Sequence, residues 1–418
     1  MQVTEKKIIG PFKQLLTMNH LPLKGALADE QLETIPLAGI LIENGLVRET
    51  GNFETLIKQH KKTAEVEHIN GTWIATPGFI DPHTHICWAG NRAHDYAMRL
   101  EGKSYIEIAK SGGGIWDTVT KTRQASLEEL VRLILERAER HLSDGITTIE
   151  VKSGYGLTVD QELKILHAIA LANKSTAADL VPTCLAAHIC PKDFWGKSSD
   201  YLNMMLEQLL PEVMAKKLSK RVDIYLEDSA FSPEEGHNYL LEARRLGFDL
   251  TVHADQFTAG GSKIATQLMA MSADHLEASE EEEIRMLAES NTIAIALPGA
   301  SIGLADPFAP ARRLLDAGAG LAIGSDWNPG SAPMGDLLVQ ASLLGMYEKL
   351  NTAETLSAIT FRAAAALGLT DRGILKTGSL ADIAAFQLGD YKDILYNQGR
   401  IKPQMVWKKG NLITRINT

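Results

Sequence analysis

The chain has 418 residues, 45% of them hydrophobic and 22% charged, an ordinary balance for a globular protein with a large core. Its formal net charge of −10 argues against nucleic-acid binding, which requires a basic face. Three cysteines, Cys87, Cys184 and Cys190, form no C-x-x-C pair, which argues against a disulfide framework and fits a reducing cytoplasm.

The first segment, MQVTEKKIIGPFKQLLTM, lacks the apolar stretch and small-residue cleavage site of a secretion signal. No apolar run is long enough to span a bilayer, so no membrane helix is expected. Residues 1–76 contain short alternating segments, among them 38–43 and 64–71. They read as strands with turns at Asn44-Gly45 and Asn70-Gly71. Lys58–Lys62 is basic and reads as a solvated loop or helix face.

From residue 77 the texture changes, and apolar strand-like runs alternate with helical patterns. The runs are Gly78–Asp81, Thr147–Lys152, Leu180–His188, Val222–Glu227, Asp249–His253, Ala273–His275, Ile293–Leu297 and Leu321–Asp326. Ser126 to Glu129 forms a capping box ahead of an apolar stripe of Leu127, Leu130, Val131 and Ile134. Ser232-Pro233-Glu234-Glu235 opens another helix with proline at its first position. Eight runs with helices between them match the rhythm of a (β/α)8 barrel. The connection Gly90–Arg123 is longer than a simple crossover. It carries Gly112-Gly113-Gly114, which reads as a lid or substrate loop. Helical patterns resume at Gly335–Glu348 and Thr352–Leu367, and short strands follow at Ala381–Phe386 and Met405–Thr414. The expected fold is α/β: a TIM-like barrel over 77–369, with a second small β-sandwich domain built from both chain ends, 1–76 plus 370–418.

Candidate catalytic groups stand where such a barrel places them, at the C-terminal ends of strands. In Asp81-Pro82-His83-Thr84-His85 the two histidines sit at i and i+2 and project to one side of an extended strand. His188, His253, His275 and Asp326 each end a later run. Three imidazoles and one carboxylate suit Zn2+ or iron, with one position left for water. Such an ion lowers the pKa of bound water from 15.7 to about 7 and yields hydroxide near neutrality. A carboxylate beside that water can carry its proton to a leaving nitrogen, and Asp326 is the candidate. His275, just outside the ligand set, is the candidate that polarises the attacked carbonyl. His94, His167 and His237 lie in loop or helix patterns without partners. Lys152 follows Thr147–Val151 and invites a second reading, a carboxylated lysine bridging two metals. Its neighbours Ser153-Gly154-Tyr155-Gly156 favour a loop that shapes the substrate pocket, and one metal is expected.

At these residues the chain resembles the amidohydrolase superfamily and, within it, the imidazolonepropionase family. Pro77–His85 (PGFIDPHTH) looks like the superfamily's first-strand metal motif, and Gly373–Phe386, with GSLAD at 378–382, resembles its C-terminal strand signature. The more specific segments are Ile108–Ile115 (IAKSGGGI), Glu150–Leu157 (EVKSGYGL), His253–Gln256 (HADQ), Ser272–Glu277 (SADHLE) and Gly324–Ser331 (GSDWNPGS). The resemblance implies hydrolysis of 4-imidazolone-5-propanoate to N-formimidoyl-L-glutamate in histidine degradation. It implies His83, His85, His253 and Asp326 as ligands of one zinc or iron ion per chain. It implies Arg92, Tyr155, His188, Gln256, Asn328, Gly330 and Ser331 as contacts to a small anionic substrate. A cytoplasmic homodimer is expected. Arg92 suits a bidentate clamp on a propanoate carboxylate. Some members of the family carry glutamate where this chain has Gln256. Glutamine cannot take a proton, so a base role falls to Asp326 with His275 assisting. The alternatives are another cyclic amide or amidine hydrolase or deaminase on the same scaffold, and a scaffold protein on an inactive barrel. A neutral nucleobase would not require Arg92 or the Ser153–Gly156 loop, and an inactive barrel would be expected to lack metal ligands.

Overall fold

The computed structural model describes residues 6–103, 107–108 and 111–415. Ala109 and Lys110 of the Ile108–Ile115 segment, and the outermost residues of both chain ends, lie outside the described residues.

Two eight-stranded sheets organise the molecule. The barrel strands are β6 (Phe79–Asp81), β7 (Ile146–Lys152), β8 (Asp179–Ala187), β9 (Arg221–Ile224), β10 (Asp249–Ala254), β11 (Ser272–His275), β12 (Ile293–Ala296) and β13 (Leu321–Ile323). They pair in parallel in chain order from β6 to β13, with helices between them. Each coincides with one of the eight apolar runs. Parallel strands flanked by helices are covered on both faces and so read as continuous apolar runs. Every residue of β6, β7, β9, β11, β12 and β13 is buried.

The second sheet draws on both chain ends, as expected. Its strands are β1 (Lys6–Leu16), β2 (Thr34–Glu43), β3 (Leu46–Asn52), β4 (Glu65–His68), β5 (Ile74–Pro77), β14 (Ile383–Phe386), β15 (Met405–Lys408) and β16 (Asn411–Arg415). Their order is β16-β15-β14-β5-β1-β2-β3, with β4 also on β1. The ends meet where Ile383–Phe386 runs antiparallel to Ile74–Pro77. Asn44 and Gly45, at φ 52° and 78°, make the tight turn between β2 and β3. Asn70-Gly71 instead bends the chain between β4 and β5, which both run parallel to β1. The extended chain then passes from β5 through Gly78 directly into β6, so one segment belongs to both sheets. Phe79 and Phe386 lie 6.1 Å apart within the core shared by barrel and sheet.

Ser126 Oγ accepts from Glu129 N at the start of the helix Leu127–Ser143, and Ser232 and Glu235 cap Pro233–Arg245 reciprocally. One expectation is corrected. The pattern Thr352–Leu367 is two helices, Thr352–Ala358 and Phe361–Ala366. The Ile359 carbonyl accepts from Ile80 N of the first barrel strand at 2.9 Å, and Thr360 turns out of the helical region at φ −126°, ψ −108°.

Trp407 is fully buried, meets Phe12 edge-on at 6.2 Å and donates to Glu67 Oε1. Trp407→Ala is expected to cost the second sheet about 3–5 kcal/mol, read as a lowered midpoint of the first unfolding transition in urea.

Candidate metal centre

The site lies on the seam of the barrel. Asp326 N donates to the His83 carbonyl at 3.0 Å, His85 N donates to the Trp327 carbonyl at 3.1 Å, and Thr84 and Trp327 form a parallel bridge. The extensions of the first and last strands therefore run side by side, carrying His83, His85 and Asp326. Gly324 permits this approach, because a methyl group there would lie 2.9 Å from His83 Cβ. His253, from the end of β10, joins them. His85 Nε2 is 3.3 Å from His83 Nε2 and 3.4 Å from His253 Nε2. Asp326 Oδ1 is 3.5 Å from His83 Nε2 and 3.4 Å from His85 Nε2. Metal–ligand bonds near 2 Å in a tetrahedron would space the donor atoms by about 3.3 Å. The four spacings are of that order, so the residues present fit a metal ion. His83, His85 and His253 could hold a metal, and His83, His275 and Asp326 form a second, overlapping donor group.

Carboxylates steer two of the imidazoles from behind. Asp274 Oδ2 lies 2.6 Å from His83 Nδ1, and Asp223 Oδ2 lies 2.9 Å from His253 Nδ1. A carboxylate at Nδ1 fixes the tautomer that leaves Nε2 free for a metal and raises its basicity. Burial lowers His253 to about 3 against the pull of Asp223, and lowers His85 well below its ordinary value against Asp326. For His83, burial and Lys152 press the pKa down, but hydrogen bonds with Asp274 and Asp326 prevail and raise it to about 9. Burial alone would push Asp326 toward its neutral form, but His83 and His85 hold it well below the usual carboxylate range. An ionised oxygen among imidazole nitrogens is the donor chemistry of a borderline divalent ion.

Lys152 is the last residue of β7, as in the run Thr147–Lys152, and is fully buried inside the barrel, with the pocket loop beginning at Ser153. Its Nζ lies 2.8 Å from Glu150 Oε1, 2.8 Å from Asp223 Oδ2 and 3.6 Å from Asp274 Oδ2. Burial disfavours its charge, but these three carboxylates outweigh burial and raise its pKa. A lysine held as an ammonium is not the neutral amine that carboxylation needs.

The residues expected to meet substrate gather at the same end of the barrel. Arg92 Nε donates to Asp95 Oδ2 at 2.7 Å, and Asp95 also accepts from Gly114 N at 2.9 Å, which folds the long connection onto Arg92. Arg92 Nη1 rests against Gly330, where a methyl group would fall 2.7 Å from it. The buried Tyr155 ring lies 5.9 Å from His85 and 5.5 Å from His188. His188 stacks on His85 at 5.4 Å, and its Nδ1 bonds the Gly154 carbonyl at 3.1 Å, which assigns the proton to Nδ1 and leaves a lone pair on Nε2. Burial lowers His188 to about 4. Gln256 Oε1 accepts from the Tyr225 hydroxyl at 2.8 Å. Asn328 braces its own loop. Its Nδ2 lies 2.8 Å from Asp326 Oδ2 and 2.9 Å from Ser331 Oγ, while its Oδ1 accepts from Gly330 N and Ser331 N. The His275 ring stands 5.3 Å from His253 and 5.8 Å from His83.

Comparison with known proteins agrees with this geometry. Residues 74–413 match the Amidohydrolase family. Imidazolonepropionases of Bacillus mycoides (strain KBAB4) and Bacillus cereus (strain AH187) are each 39% identical over 405 residues, covering 96% of this chain and 94% of theirs. The chain belongs to the imidazolonepropionase family of amidohydrolases. It is a hydrolase. Solved structures share its fold at low identity. An ochratoxinase from A. niger has a TM-score of 0.72 at 16% identity, covering 99% of this chain and 96% of that one. An adenosine deaminase from Xanthomonas campestris, solved with bound zinc, has a TM-score of 0.67 at 16% identity, covering 98% and 92%.

Several side chains of this imidazolonepropionase-family site escaped the sequence reading. Glu162 is buried and accepts from Gly154 N, Gly156 N and Leu157 N, so it shapes the loop that carries Tyr155. Arg99 donates to the Gly303 carbonyl at 2.7 Å, and burial with the charge of Arg92 lowers its pKa. Asp223 and Asp274 were passed over because charged residues inside apolar runs look like a solvated face. In a parallel barrel both faces are covered, and that was the available signal. His253→Ala removes one of the three imidazoles that could hold a metal and is expected to lower bound metal to well under one ion per chain after dialysis. Mass-spectrometric metal analysis of the folded protein checks this.

Proposed function

We propose that this chain hydrolyses the cyclic amide 4-imidazolone-5-propanoate to N-formimidoyl-L-glutamate, a step of histidine degradation. One zinc or iron ion per chain would be held by His83, His85, His253 and Asp326. The carrying observation is the joint placement of these converging donors and Arg92, whose Nη1 reaches the loop that follows Asp326. The relatives named for this activity match nearly the whole chain, which supports the substrate.

When bound, the ion supplies Lewis acidity and lowers the pKa of water from 15.7 to about 7. The chain's own groups do the rest. Arg92, braced through Nε by Asp95, takes the propanoate carboxylate with its remaining N–H groups. Tyr155 covers the planar ring, and His188 Nε2, neutral above about pH 4, accepts a ring N–H. Asn328, Gly330 and Ser331 bind the remaining polar atoms. So held, the ring carbonyl faces the donor group, and orientation lowers the barrier. Asp326 takes the proton of the attacking water and returns it to the ring nitrogen as the carbonyl C–N bond breaks. The water oxygen ends in the new carboxylate. His275 stabilises the oxyanion that forms on the way. Gln256, its oxygen occupied by Tyr225, contributes N–H donors and no proton transfer.

The chain divides, on this reading, into a composite β domain of 1–76 and 370–418 around a catalytic barrel of 77–369. Among the described residues no helix is long and apolar enough to cross a membrane, which is compatible with the proposed cytoplasmic location. A homodimer is the proposed assembly, and light scattering on the purified chain reads it.

Three measurements test the proposal. Asp326→Asn keeps an oxygen for the metal but cannot shuttle a proton, so activity is expected to fall by about 10²–10⁴-fold in metal-retaining protein. Gln256→Ala is expected to lose less, and the reverse ranking at saturating metal would move the base to another group. Arg92→Ala is expected to raise KM by about 10- to 150-fold with the fold intact, the worth of one charge-assisted carboxylate contact. For the reaction itself, the unstable substrate is generated enzymatically and its ultraviolet absorbance followed, with product mass confirming one added water. A metal-loaded protein that leaves this absorbance unchanged, but opens a neutral cyclic amide or deaminates a nucleobase, has the alternative activity.

A further inference from the structure

One guanidinium joins three of the connections around the barrel mouth. Arg123 lies in the last turn of the helix Ile115–Gln124, at the end of the long connection. Its Nε donates to the Gly156 carbonyl at 2.6 Å, in the loop that carries Tyr155. Its Nη1 and Nη2 reach the two carboxylate oxygens of Asp193 at 2.5 Å and 3.4 Å, in the loop that follows His188. Its Cζ lies 5.2 Å from the centre of the Trp116 ring on its own helix. The side chain is only 17% exposed, so this is not a loose surface ion pair of the kind that contributes little.

The clamp is itself held. Lys164 Nζ donates to the carbonyls of Arg123 and Ala125 at 2.8 Å and 2.9 Å, which fixes the helix end from which Arg123 projects. Glu162, on the same helix as Lys164 (Val159–Asn173), accepts from Gly156 N at 2.7 Å. Gly156 is therefore gripped at its N–H by Glu162 and at its carbonyl by Arg123. The two loops that Arg123 joins carry the two rings proposed to hold the substrate ring. Tyr155 and His188 lie 5.5 Å apart, and their loops already touch where His188 Nδ1 bonds the Gly154 carbonyl. About a single link the loops could pivot. Arg123 supplies a second link, and two links fix their relative orientation. Arginine suits this task, because its planar fork can bond a carbonyl and a carboxylate at once, whereas lysine offers one point charge.

We propose that Arg123 is a positioning residue for the substrate ring: by clamping the Gly156 carbonyl and the Asp193 carboxylate together, it fixes Tyr155 against His188 and so sets the angle at which the ring meets the donor group. This rests on the proposed substrate contacts of Tyr155 and His188. Arg92 holds the anionic tail separately, so Arg123 acts on orientation rather than on affinity.

The test joins steady-state kinetics on 4-imidazolone-5-propanoate to hydrogen exchange on the metal-loaded full chain. Arg123→Gln is expected to lower kcat by about 10- to 100-fold, the cost of a misplaced ring, with KM changed by no more than about threefold. Exchange is expected to quicken in 153–157 and 189–195 together and to stay unchanged in the barrel strands. Arg123→Lys keeps the charge without the fork and is expected to behave like Arg123→Gln. In a Tyr155→Ala background, Arg123→Gln is expected to cost about twofold at most, because the ring it orients is gone. If Arg123→Gln does not fold, Asp193→Ala cuts one arm of the clamp at a half-exposed carboxylate. That variant is expected to lower kcat in the same sense and to quicken exchange in 189–195. Full activity in Arg123→Lys, an undiminished loss in the Tyr155→Ala background, a raised KM with kcat unchanged, or wild-type kcat in Asp193→Ala overturns the proposal and leaves the function standing. A wild-type chain that does not open the imidazolone ring overturns the function, and the role of the clamp with it.

Discussion

The barrel seam is the constraint on which the site depends. Strands β6 and β13 stand at the two ends of the ladder, and the chain just beyond them closes the gap through the Thr84–Trp327 bridge and the bonds from Asp326 N and His85 N. Donor spacing is therefore set by backbone pairing rather than by side-chain choice. Strand ends around the site also carry strain. Asp326 at φ 51° and His275 at φ 87° occupy the left-handed region, at a cost of order 1–3 kcal/mol each. Such conformations persist only where neighbours over-determine them. Asp326 is held by His83, Asn328 and Ser331, and His275 by its place between β10 and β12.

Behind the seam the problem is electrostatic. Two like charges about 4 Å apart repel by roughly 4 kcal/mol even at an effective dielectric constant of 20. Several buried acids would take up protons or unfold the barrel unless cations met them. Lys152 meets three of them from within the chain. Because a buried pair that loses one partner costs about 3–5 kcal/mol, the ammonium and the acids stand or fall together. Metal affinity and barrel stability are thus two readings of one charge balance.

The eight barrel strands were legible because two-sided burial writes them as apolar runs, with ends displaced by at most three residues. The donors were legible because β-strand ends are where this architecture puts chemistry, and the histidines and Asp326 ended their runs. What stood outside reach was long-range. Nothing in Thr352–Leu367 announces that Ile80 captures the Ile359 carbonyl and splits the helix. Nothing near Arg92 announces that Asp95 and Gly114 will brace it. Lys152 closes its run and the loop follows at Ser153, as the glycines signal, but nothing near it announces that carboxylates from three different strands will surround its ammonium.

On the proposed mechanism, Gln256 leaves proton transfer to another side chain. Its oxygen is committed to the Tyr225 hydroxyl, and an amide has no proton to accept or return at neutral pH. With glutamine, Asp326 is the acid whose Oδ1 faces the donors and whose Oδ2 faces the loop of Asn328 and Ser331. That division would let one carboxylate serve the proposed metal site with one oxygen and the loop of Asn328 and Ser331 with the other. On the proposed mechanism proton transfer runs along the seam itself, in a part of the molecule held by backbone pairing, where a donor and an acceptor can hold their separation through the reaction.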